Sequence, residues 1–413
     1  MKNKVFIINW NVLSNFGGIE KIVAYLIKFL SEQGNRVIWL KNKDSVVNTG
    51  FQSFLENKNI EVVNVYNNHL FWFKHDRINI IKDDEVTIIS YTVFDMLKAL
   101  SLKNNLNCKR KTSLYFIPDT TGRYFFIEEY FKGWLKNVVY KRIKATLRDW
   151  ENSNLIRFCA PDQITSFERH YGISVTNKEA KLNKGLFAPP ALDMKELENR
   201  SERNGCFNII TVGRFDFPHK GYMLGLVRAF GRLKPKYPQL TLSIIGLGQH
   251  EQMLKNEIAN LPQGVQADVN LLGAVPHTEL PHYFRDKHLS IAVAGAASDA
   301  ARNGVLSIAA RNFCDNECEV YGFYPESFVK NSSKEPGELV DKYIEDAINM
   351  TKEEYTKRCK DSYMVFTDPA RYNPTFLYTT TEMCKDYYIG TMDLYFYKVI
   401  NYLRKLLMLL GKK

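Results

Sequence analysis

The fold of this chain is decided by one stretch, Ile209-Ile210-Thr211-Val212-Gly213-Arg214-Phe215-Asp216-Phe217-Pro218-His219-Lys220-Gly221. Its first four residues predict a buried strand that ends at Gly213, and a helical pattern follows Gly221. The intervening loop carries two cations, Arg214 and Lys220, beside a helix N-terminus, where backbone N–H groups also attract negative charge. The segment therefore predicts a site for a diphosphate, and it leaves a basic surface loop open as the alternative.

Strand and helix patterns alternate after this loop. Helices are predicted at 222–233, 251–259, 278–285 and 298–302, and strands at 240–248, 269–273, 289–294 and 305–310. Such alternation is typical of parallel βαβ units. The ligands of parallel sheets bind outside the carboxyl ends of the strands, which is where Arg214 and Lys220 lie.

These segments resemble the donor-binding domain of GT-B-fold retaining glycosyltransferases of the glycogen-synthase-like group, the "glycosyl transferases group 1". The family shows Val-Gly-Arg, then Lys-Gly, then Pro-x-Leu-x-Leu-x-Ile-x-Gly-x-Gly, then Phe-x-Gly. Here the counterparts stand at residues 212–214, 220–221, 238–248 and 271–273, and the resemblance covers residues 207–310. It implies an α/β chain with two Rossmann-like domains that face a central cleft, followed by C-terminal crossover helices.

The N-terminal region carries a second match. Residues 4–10 predict a strand, and Gly17-Gly18-Ile19-Glu20 opens a helical pattern. This resembles the family's Gly-Gly-x-Glu loop, in which glycine lets the backbone approach a ligand closely. The resemblance implies a position near the donor phosphates or the acceptor. The alternative is an ordinary turn of a βαβ unit.

The length of 413 residues is too great for one core and predicts two domains. We expect an N-terminal acceptor-binding Rossmann-like domain at 1–185 and a linker at 186–205, which contains Pro189-Pro190. A nucleotide-sugar-binding Rossmann-like domain follows at 206–370, and crossover helices with a basic amphipathic tail follow at 371–413. The run 155–161 predicts the last strand of the first domain.

The composition indicates a globular, cytoplasmic protein. The N-terminus has no signal-peptide pattern, and the sequence contains no apolar run long enough to span a membrane. Seven scattered cysteines predict reduced thiols. Cys314 and Cys318 are spaced like half of a metal site, but no second pair completes four ligands, so we expect neither metal nor cofactor.

The net charge of +11 indicates an anionic partner. No nucleic-acid-binding motif supports DNA or RNA. Residues 393–413 instead form a basic amphipathic pattern that suits an anionic membrane surface. The alternative is a crossover helix packed on the N-terminal domain. The basic aromatic stretch 130–142 leaves a similar choice, between lipid or a lipid-linked acceptor and a solvated helix face.

Arg214 and Lys220 are the candidate catalytic cations. Negative charge builds on the leaving diphosphate, and fixed positive charge placed there stabilises the transition state. The resemblance implies that they replace a divalent metal, with a nucleotide sugar as donor, UDP-linked rather than GDP-linked. The predicted donor-binding residues are Gly17, Gly18, Gly213, Gly246, Gly273, Ala274, Ser298 and Asp299.

The sequence departs from the family at residues 294–304. The family carries two glutamates separated by seven residues, and the second falls on Asp299, which can accept from a ribose hydroxyl. The first has no counterpart, because Ala294-Gly295-Ala296-Ala297 fills its place. This gap implies a different sugar contact, a different donor or lost activity. For Asp299 the alternative is a residue placed for the helix dipole alone.

The acceptor side rests on residues 114–123, which predict a strand followed by a polar loop. Asp119 is the candidate to orient or deprotonate the acceptor hydroxyl. Alternatively, Asp119 only forms a turn after Pro118. The leaving phosphate itself is an alternative base for the reaction. Arg123 is a candidate for binding an acceptor phosphate.

Three functions stay open. The first is a retaining, metal-independent glycosyltransferase that acts on a lipid-linked or polysaccharide acceptor, such as a capsule or cell-surface glycan, at the inner face of the membrane. The second is a non-catalytic nucleotide-sugar-binding subunit. The third is an epimerase or hydrolase on the same fold, for which no pair of acid and base residues can be assembled from the sequence.

Overall fold

The structure is a computed structural model. It describes residues 4–13, 18–66, 74–106, 112–116, 127–158, 161–181, 205–314, 316–327, 336–368, 387 and 389–409. The chain divides into two compact units. The first comprises Met1–Phe187 with Asn373–Lys413, and the second comprises Ala188–Tyr372.

The first unit contains a six-stranded sheet. Its strands are β1 Lys4–Asn9, β2 Arg36–Asn42, β3 Ile60–Tyr66, β4 Lys74–His75, β5 Glu85–Ser90 and β6 Thr112–Phe116. The order across the sheet is β4-β3-β2-β1-β5-β6, and all neighbours are parallel except β3 and β4. The chain order reverses between β1 and β5, so this is the topological switch point of the sheet. The central strands are buried on both faces, as parallel strands in α/β proteins are.

Helices cover both faces of this sheet. They are α1 Gly18–Glu32, α2 Thr49–Gln52, α3 Val93–Asn105, α4 Gly133–Asn152, α5 Pro161–Tyr171 and α6 Lys178–Lys181, with short 3-10 helices at Ser53–Leu55 and Ile127–Tyr130. The apolar face of α1 packs on one side of the sheet, and α3, α4 and α5 pack on the other.

The second unit contains a seven-stranded sheet. Its strands are β7 Phe207–Val212, β8 Leu240–Ile245, β9 Val269–Gly273, β10 Leu289–Ala292, β11 Leu306–Ala310, β12 Glu319–Phe323 and β13 Glu338–Leu339. The order is β13-β12-β11-β10-β7-β8-β9, with β12 and β13 antiparallel to their neighbours. The switch point lies between β7 and β10, so the loops that follow these two strands flank the expected ligand position.

Helices also cover both faces of the second sheet. They are α7 Tyr222–Leu233, α8 Glu251–Ala259, α9 Gln263–Gln266, α10 Leu280–Phe284, α11 Gly295–Arg302, α12 Val340–Asn349 and α13 Lys352–Thr367, with a 3-10 helix at His277–Glu279. The start of α13 is fixed by a capping box between Thr351 and Glu354.

The last helix, α14 Thr391–Leu409, packs against α3 and α4 of the first unit. Tyr397 and Ile400 are buried in that contact, and the Tyr397 hydroxyl pairs with Thr146 of α4. One face of α14 therefore packs on the N-terminal unit, as the alternative of a crossover helix predicts. No described helix is long and apolar enough to cross a bilayer.

The structure corrects several predicted bounds. The predicted strand at 240–248 ends at Ile245, because Gly246 has a φ of +152° that leaves the strand conformation. The predicted strand at 289–294 ends at Ala292, and α11 begins at Gly295 rather than at residue 298. The predicted helix at 278–285 is instead a 3-10 turn followed by α10.

The predicted strand at 155–161 is wrong. Residues 156 and 158 make only single bridges, and the Phe158 N–H donates to the Lys181 carbonyl at 2.8 Å rather than to a neighbouring strand of the sheet. Pro161 already begins α5, since proline suits the first turn of a helix, where its missing N–H costs nothing.

Candidate functional site

The loop after β7, residues 213–221, is the candidate phosphate loop. The Gly213 N–H donates to the Ile245 carbonyl at 3.0 Å, which continues the ladder between β7 and β8 for one more residue. Within the loop, the Lys220 N–H donates to the Asp216 carbonyl at 2.7 Å. These bonds hold the loop backbone, so the side chains of Arg214 and Lys220 start from fixed positions.

Two glycines after β8 support the phosphate loop from behind. A Cβ atom on Gly246 would lie 1.9 Å from the Gly213 carbonyl oxygen, and one on Gly248 would lie 2.5 Å from the Phe215 carbonyl oxygen. Real Cβ atoms do not approach oxygen so closely. The two loops therefore pack backbone against backbone, and only glycine fits at these positions.

Two histidines lie at the phosphate loop: His219 belongs to it, and His250 contacts it. The His250 Nδ1 atom accepts from the Phe217 N–H at 2.9 Å, and the two rings stack with centroids 5.7 Å apart. His219 lies against the Phe313 ring at 5.0 Å, and its carbonyl accepts from the Phe313 N–H at 3.1 Å. Burial and the Lys220 charge lower the pKa of His219. Its imidazole is therefore neutral at pH 7 and adds no third cation.

The two candidate catalytic cations differ in their surroundings. Arg214 is exposed, and Lys220 is partly buried. Burial of its ammonium group, together with the neighbouring charge of Arg214, lowers the pKa of Lys220 to about 8, while Asp216 opposes this shift. Two cations that repel one another in a partly dry site favour an anionic ligand between them.

The opposite side of the switch point is formed by residues 294–299. Ala294 has φ 51° and ψ −119°, a conformation that usually requires glycine and that costs of order 1–3 kcal/mol for other residues. Its carbonyl accepts from the Ser298 N–H at 3.1 Å and from the Ser298 hydroxyl at 3.3 Å. The strained turn lets α11 begin at Gly295, and the first-turn N–H groups of a helix have no intrahelical partner.

Asp299 is paired with His277, a residue for which the sequence predicted no role. The His277 Nε2 atom lies 3.0 Å from Asp299 Oδ2, and both side chains are about nine-tenths buried. Arg302 approaches the other carboxylate oxygen at 4.0 Å. His277 follows the end of β9 by four residues, and that position among the candidate site loops is the signal that could have found it.

The structure brings several predicted donor-binding residues together at the carboxyl ends of β7, β8 and β9. Gly213 and Gly246 adjoin across the ladder, and the Gly246 N–H donates to the Gly273 carbonyl at 2.8 Å. Ala274 follows directly and is exposed. Ser298 and Asp299 lie on α11, which follows β10 on the other side of the switch point.

Other predicted site residues do not join this group. Gly18 begins α1 in the first unit. Gly17, Asp119 and Arg123 lie outside the described residues. Their predicted roles in donor binding, in proton transfer and in acceptor binding stay predictions.

Within the described residues, one group has the composition of a metal site: Glu128, Glu129 and His170 in the first unit. Glu128 is fully buried, pairs with His170 and accepts from the Tyr171 hydroxyl at 3.0 Å. Lys136 pairs with Glu129 at 3.0 Å. Protein partners therefore already engage these carboxylates, and the group belongs to the first unit, whereas the phosphate loop belongs to the second.

Cys314 and Cys318 lie in the core of the second unit. Burial raises the pKa of both thiols, so they stay protonated at neutral pH. Buried thiols of this kind are inert, and their role here is packing.

The raised acidity of Lys220 predicts a pH limit on activity. Below pH 8 its ammonium is charged and can hold a diphosphate, whereas above pH 8 it loses its proton. We expect kcat/KM to fall about tenfold per pH unit above that value, since kcat/KM reports ionisations of the free enzyme. Arginine stays charged over this whole pH range, so kcat/KM of Lys220→Arg should not fall above pH 8. A wild-type profile that stays flat to pH 10 would contradict the prediction.

Comparison with known proteins confirms the resemblance. Residues 170–298 match the family model described as "Glycosyl transferases group 1". No curated protein matches the sequence significantly. The family match supports a nucleotide-sugar glycosyltransferase.

Solved structures share the fold over nearly the whole chain. The structure of Anabaena Alr3699/HepE in complex with UDP and glucose is 14% identical, with a TM-score of 0.52, and the match covers 92% of this chain and 99% of that one. WaaG, a glycosyltransferase involved in lipopolysaccharide biosynthesis, is 12% identical, with a TM-score of 0.53 and coverage of 93% and 100%. Trehalose-6-phosphate synthase OtsA is 13% identical, with a TM-score of 0.56 and coverage of 93% and 99%. These likenesses confirm the predicted GT-B fold with its two Rossmann-like units.

Proposed function

We propose that this protein is a retaining glycosyltransferase that moves a sugar from a nucleoside diphosphate sugar to a lipid-linked or polysaccharide acceptor at the inner face of the membrane. The observation that carries the proposal is the pair of cations on one fixed loop at the switch point of the second sheet. Arg214 and Lys220 there follow β7, while the α11 N-terminus follows β10.

The chemistry of such a transfer suits this arrangement. Breaking the anomeric C–O bond leaves negative charge on the diphosphate, and preorganised positive charge lowers that barrier most. Arg214 offers a planar fork for two phosphate oxygens, and Lys220 offers a compact charge. Together they take the role that a divalent metal plays in other transferases, so we propose a metal-independent reaction.

A UDP-sugar is the proposed donor. HepE was solved with UDP and glucose, and this chain shares its fold. In this proposal Asp299 is positioned by His277 and accepts a hydrogen bond from a ribose hydroxyl. The His277 and Asp299 side chains are 11% and 7% exposed. The first-turn N–H groups of α11 meet the sugar in place of the missing glutamate.

The test of this function is analysis of the product. The sugar of the donor should move into a lipid or polysaccharide fraction, and NMR should show the anomeric configuration of the donor in the product. An inverted product would overturn the retaining mechanism, and hydrolysis without transfer would overturn the transferase.

The membrane location is supported by exposed apolar side chains on the outer face of α14. Met392, Tyr395, Val399 and Leu406 are 80%, 65%, 37% and 40% exposed, and they repeat at helical spacing. Trp134 is 75% exposed on α4, which α14 contacts through the Arg142–Asp393 ion pair. Apolar residues interspersed with lysine and arginine suit the headgroup region of an anionic membrane.

Vesicle binding tests this surface. We expect Val399→Asp with Leu406→Asp to weaken binding to phosphatidylglycerol vesicles at least about tenfold, because apolar burial is lost and like charge is added. Met364→Asp is the matched control, since Met364 is 57% exposed but lies in the second unit. Equal cosedimentation of the double variant and the wild type would contradict the location.

One observation favours a second function, a non-catalytic nucleotide-sugar-binding subunit. Residues 294–297 offer no carboxylate where the family carries its first glutamate. The two functions differ in one result: the subunit would bind a nucleotide sugar without releasing nucleoside diphosphate.

A further inference from the structure

The loop between β11 and β12 reaches the phosphate loop of the same unit. β11 ends at Ala310, and β12 begins at Glu319. In the sheet β10 separates β11 from β7, yet Phe313 of this loop contacts His219 of the phosphate loop. The proposed donor chemistry uses no residue of the β11–β12 loop.

The loop is anchored on both sides of Phe313. On one side, the Arg311 N–H donates to the Glu319 carbonyl at 2.8 Å, and the two side chains form an ion pair at 2.6 Å. On the other side, Cys314 is buried in the core of the second unit, and its thiol donates to the Arg311 carbonyl at 3.1 Å. The backbone of Phe313 is therefore held in place before any ligand binds.

Phe313 has an unfavourable backbone conformation. Its φ is +58°, in the left-handed region that bulky residues rarely adopt and that costs of order 1–3 kcal/mol. The residue is 67% exposed, so burial of the ring offsets little of this cost. Glycine or asparagine would adopt the same conformation more easily. The backbone therefore does not explain a phenylalanine here, and the explanation lies in what Phe313 contacts.

The main-chain contact of Phe313 holds the peptide group that joins His219 to Lys220. The carbonyl of this group accepts from the Phe313 N–H at 3.1 Å, and its N–H donates to the Asp216 carbonyl at 2.7 Å. Because a peptide group is planar, these two bonds fix its orientation. On the other side of Lys220, its own carbonyl accepts from the Met223 N–H at 3.2 Å. The Lys220 side chain therefore leaves the backbone in a set direction.

The ring contact adds to this hold on the phosphate loop. The Phe313 and His219 ring centroids lie 5.0 Å apart, which is within the range of favourable aromatic pairs. Burial and the Lys220 charge lower the pKa of His219, so the phenyl ring covers a neutral imidazole and no charged group loses water. Without the phenyl ring, His219 would lose this packing contact.

We propose that Phe313 is a positioning residue, which holds His219 and thereby directs the Lys220 ammonium group toward the diphosphate of the donor. The inference rests on the proposed function, in which Lys220 binds that diphosphate. Phe313 itself contacts no reacting atom in this proposal, so its effect passes through Lys220. A cation that is held in advance stabilises the leaving group most, because it does not have to reorganise during the reaction.

UDP titration and melting curves of the full chain test this role. Phe313→Asn removes the ring but suits a positive φ, so its melting temperature should equal or exceed that of the wild type. Its affinity for UDP should nevertheless fall about tenfold, the scale of one weakened hydrogen bond to a charged group. Phe313→Tyr keeps the ring and should restore the affinity. Met364→Ala is the matched control, since Met364 is 57% exposed on α13 of the same unit, and it should bind UDP like the wild type.

A double-mutant cycle shows whether the effect passes through Lys220. Lys220→Ala should weaken UDP binding more than Phe313→Asn does, and adding Phe313→Asn to Lys220→Ala should lower the affinity no further. Equal losses in both backgrounds, a wild-type affinity in Phe313→Asn, or a melting temperature that falls together with the affinity would overturn the positioning role alone. Wild-type UDP affinity in Lys220→Ala would instead overturn the proposed function and this inference together.

Discussion

Lys220→Ala and Arg214→Ala should each lower the rate of nucleoside diphosphate release at least about a hundredfold, which is the scale of losing one key electrostatic donor in an active site. Both side chains project from a loop whose backbone is held by the β8 strand and by its own turn. Removing either cation therefore leaves the loop in place and removes charge from the leaving group.

The measurement is steady-state turnover with a saturating donor, beside melting curves for each variant. Lys255→Ala is the matched control, because Lys255 is 52% exposed on α8 and pairs with Glu251 at 2.8 Å. It should retain normal turnover. Near-normal turnover in Lys220→Ala or in Arg214→Ala would contradict the assignment of the phosphate loop.

Gly246→Ala should destabilise the second unit by about 3 kcal/mol or more. The added methyl group would lie 1.9 Å from the Gly213 carbonyl oxygen, and the alanine would have to keep a φ of +152°. Backbone atoms cannot move aside as a flexible side chain would. The phosphate loop must shift, so the affinity for UDP should fall together with the stability.

Denaturant unfolding and UDP titration check this prediction. Gly264→Ala is the control, since a Cβ there meets nothing within 4 Å and the residue lies in the short helix α9. It should change the free energy of unfolding by less than about 0.5 kcal/mol. Equal stability of Gly246→Ala and the wild type would show that the two loops do not pack as described.

The sequence predicted the parts of the second unit that carry strong local patterns. The predicted bounds of α7, α8 and β9 agree with the structure, because a continuous apolar stripe or run marks each of them. Glycine marks the end of β9 for a physical reason: Gly273 has a φ of +71°, which a continuing extended strand does not accommodate.

Pairings between distant segments could not be predicted in this way. The sequence predicts a role for Asp299, but its partner His277 lies 22 residues away, and only the packing of the 3-10 helix at His277–Glu279 against α11 brings the imidazole and the carboxylate together. Strand β13 at one edge of the sheet and its neighbour β12 also escaped prediction. They are short and antiparallel, and β13 has only two residues, so neither periodicity nor length marks them.

The C-terminal helix α14 shows a second limit of prediction from sequence. Its periodicity predicts apolar surface but cannot say what that surface meets. In the structure, Tyr397 and Ile400 point into the first unit, while Met392 and Tyr395 face outward. The two alternatives from the sequence thus belong to different faces of one helix: one is the observed contact and the other is the proposed membrane surface.

The most direct test of the proposed metal-independent transfer is donor turnover in the presence of EDTA. Purified protein is mixed with UDP-, GDP- and dTDP-sugars and a membrane lipid extract, and nucleoside diphosphate release is followed. We expect release from a UDP-sugar that requires the lipid extract and is lost in Lys220→Ala. Binding without release across all donors, or release that EDTA abolishes, would contradict it.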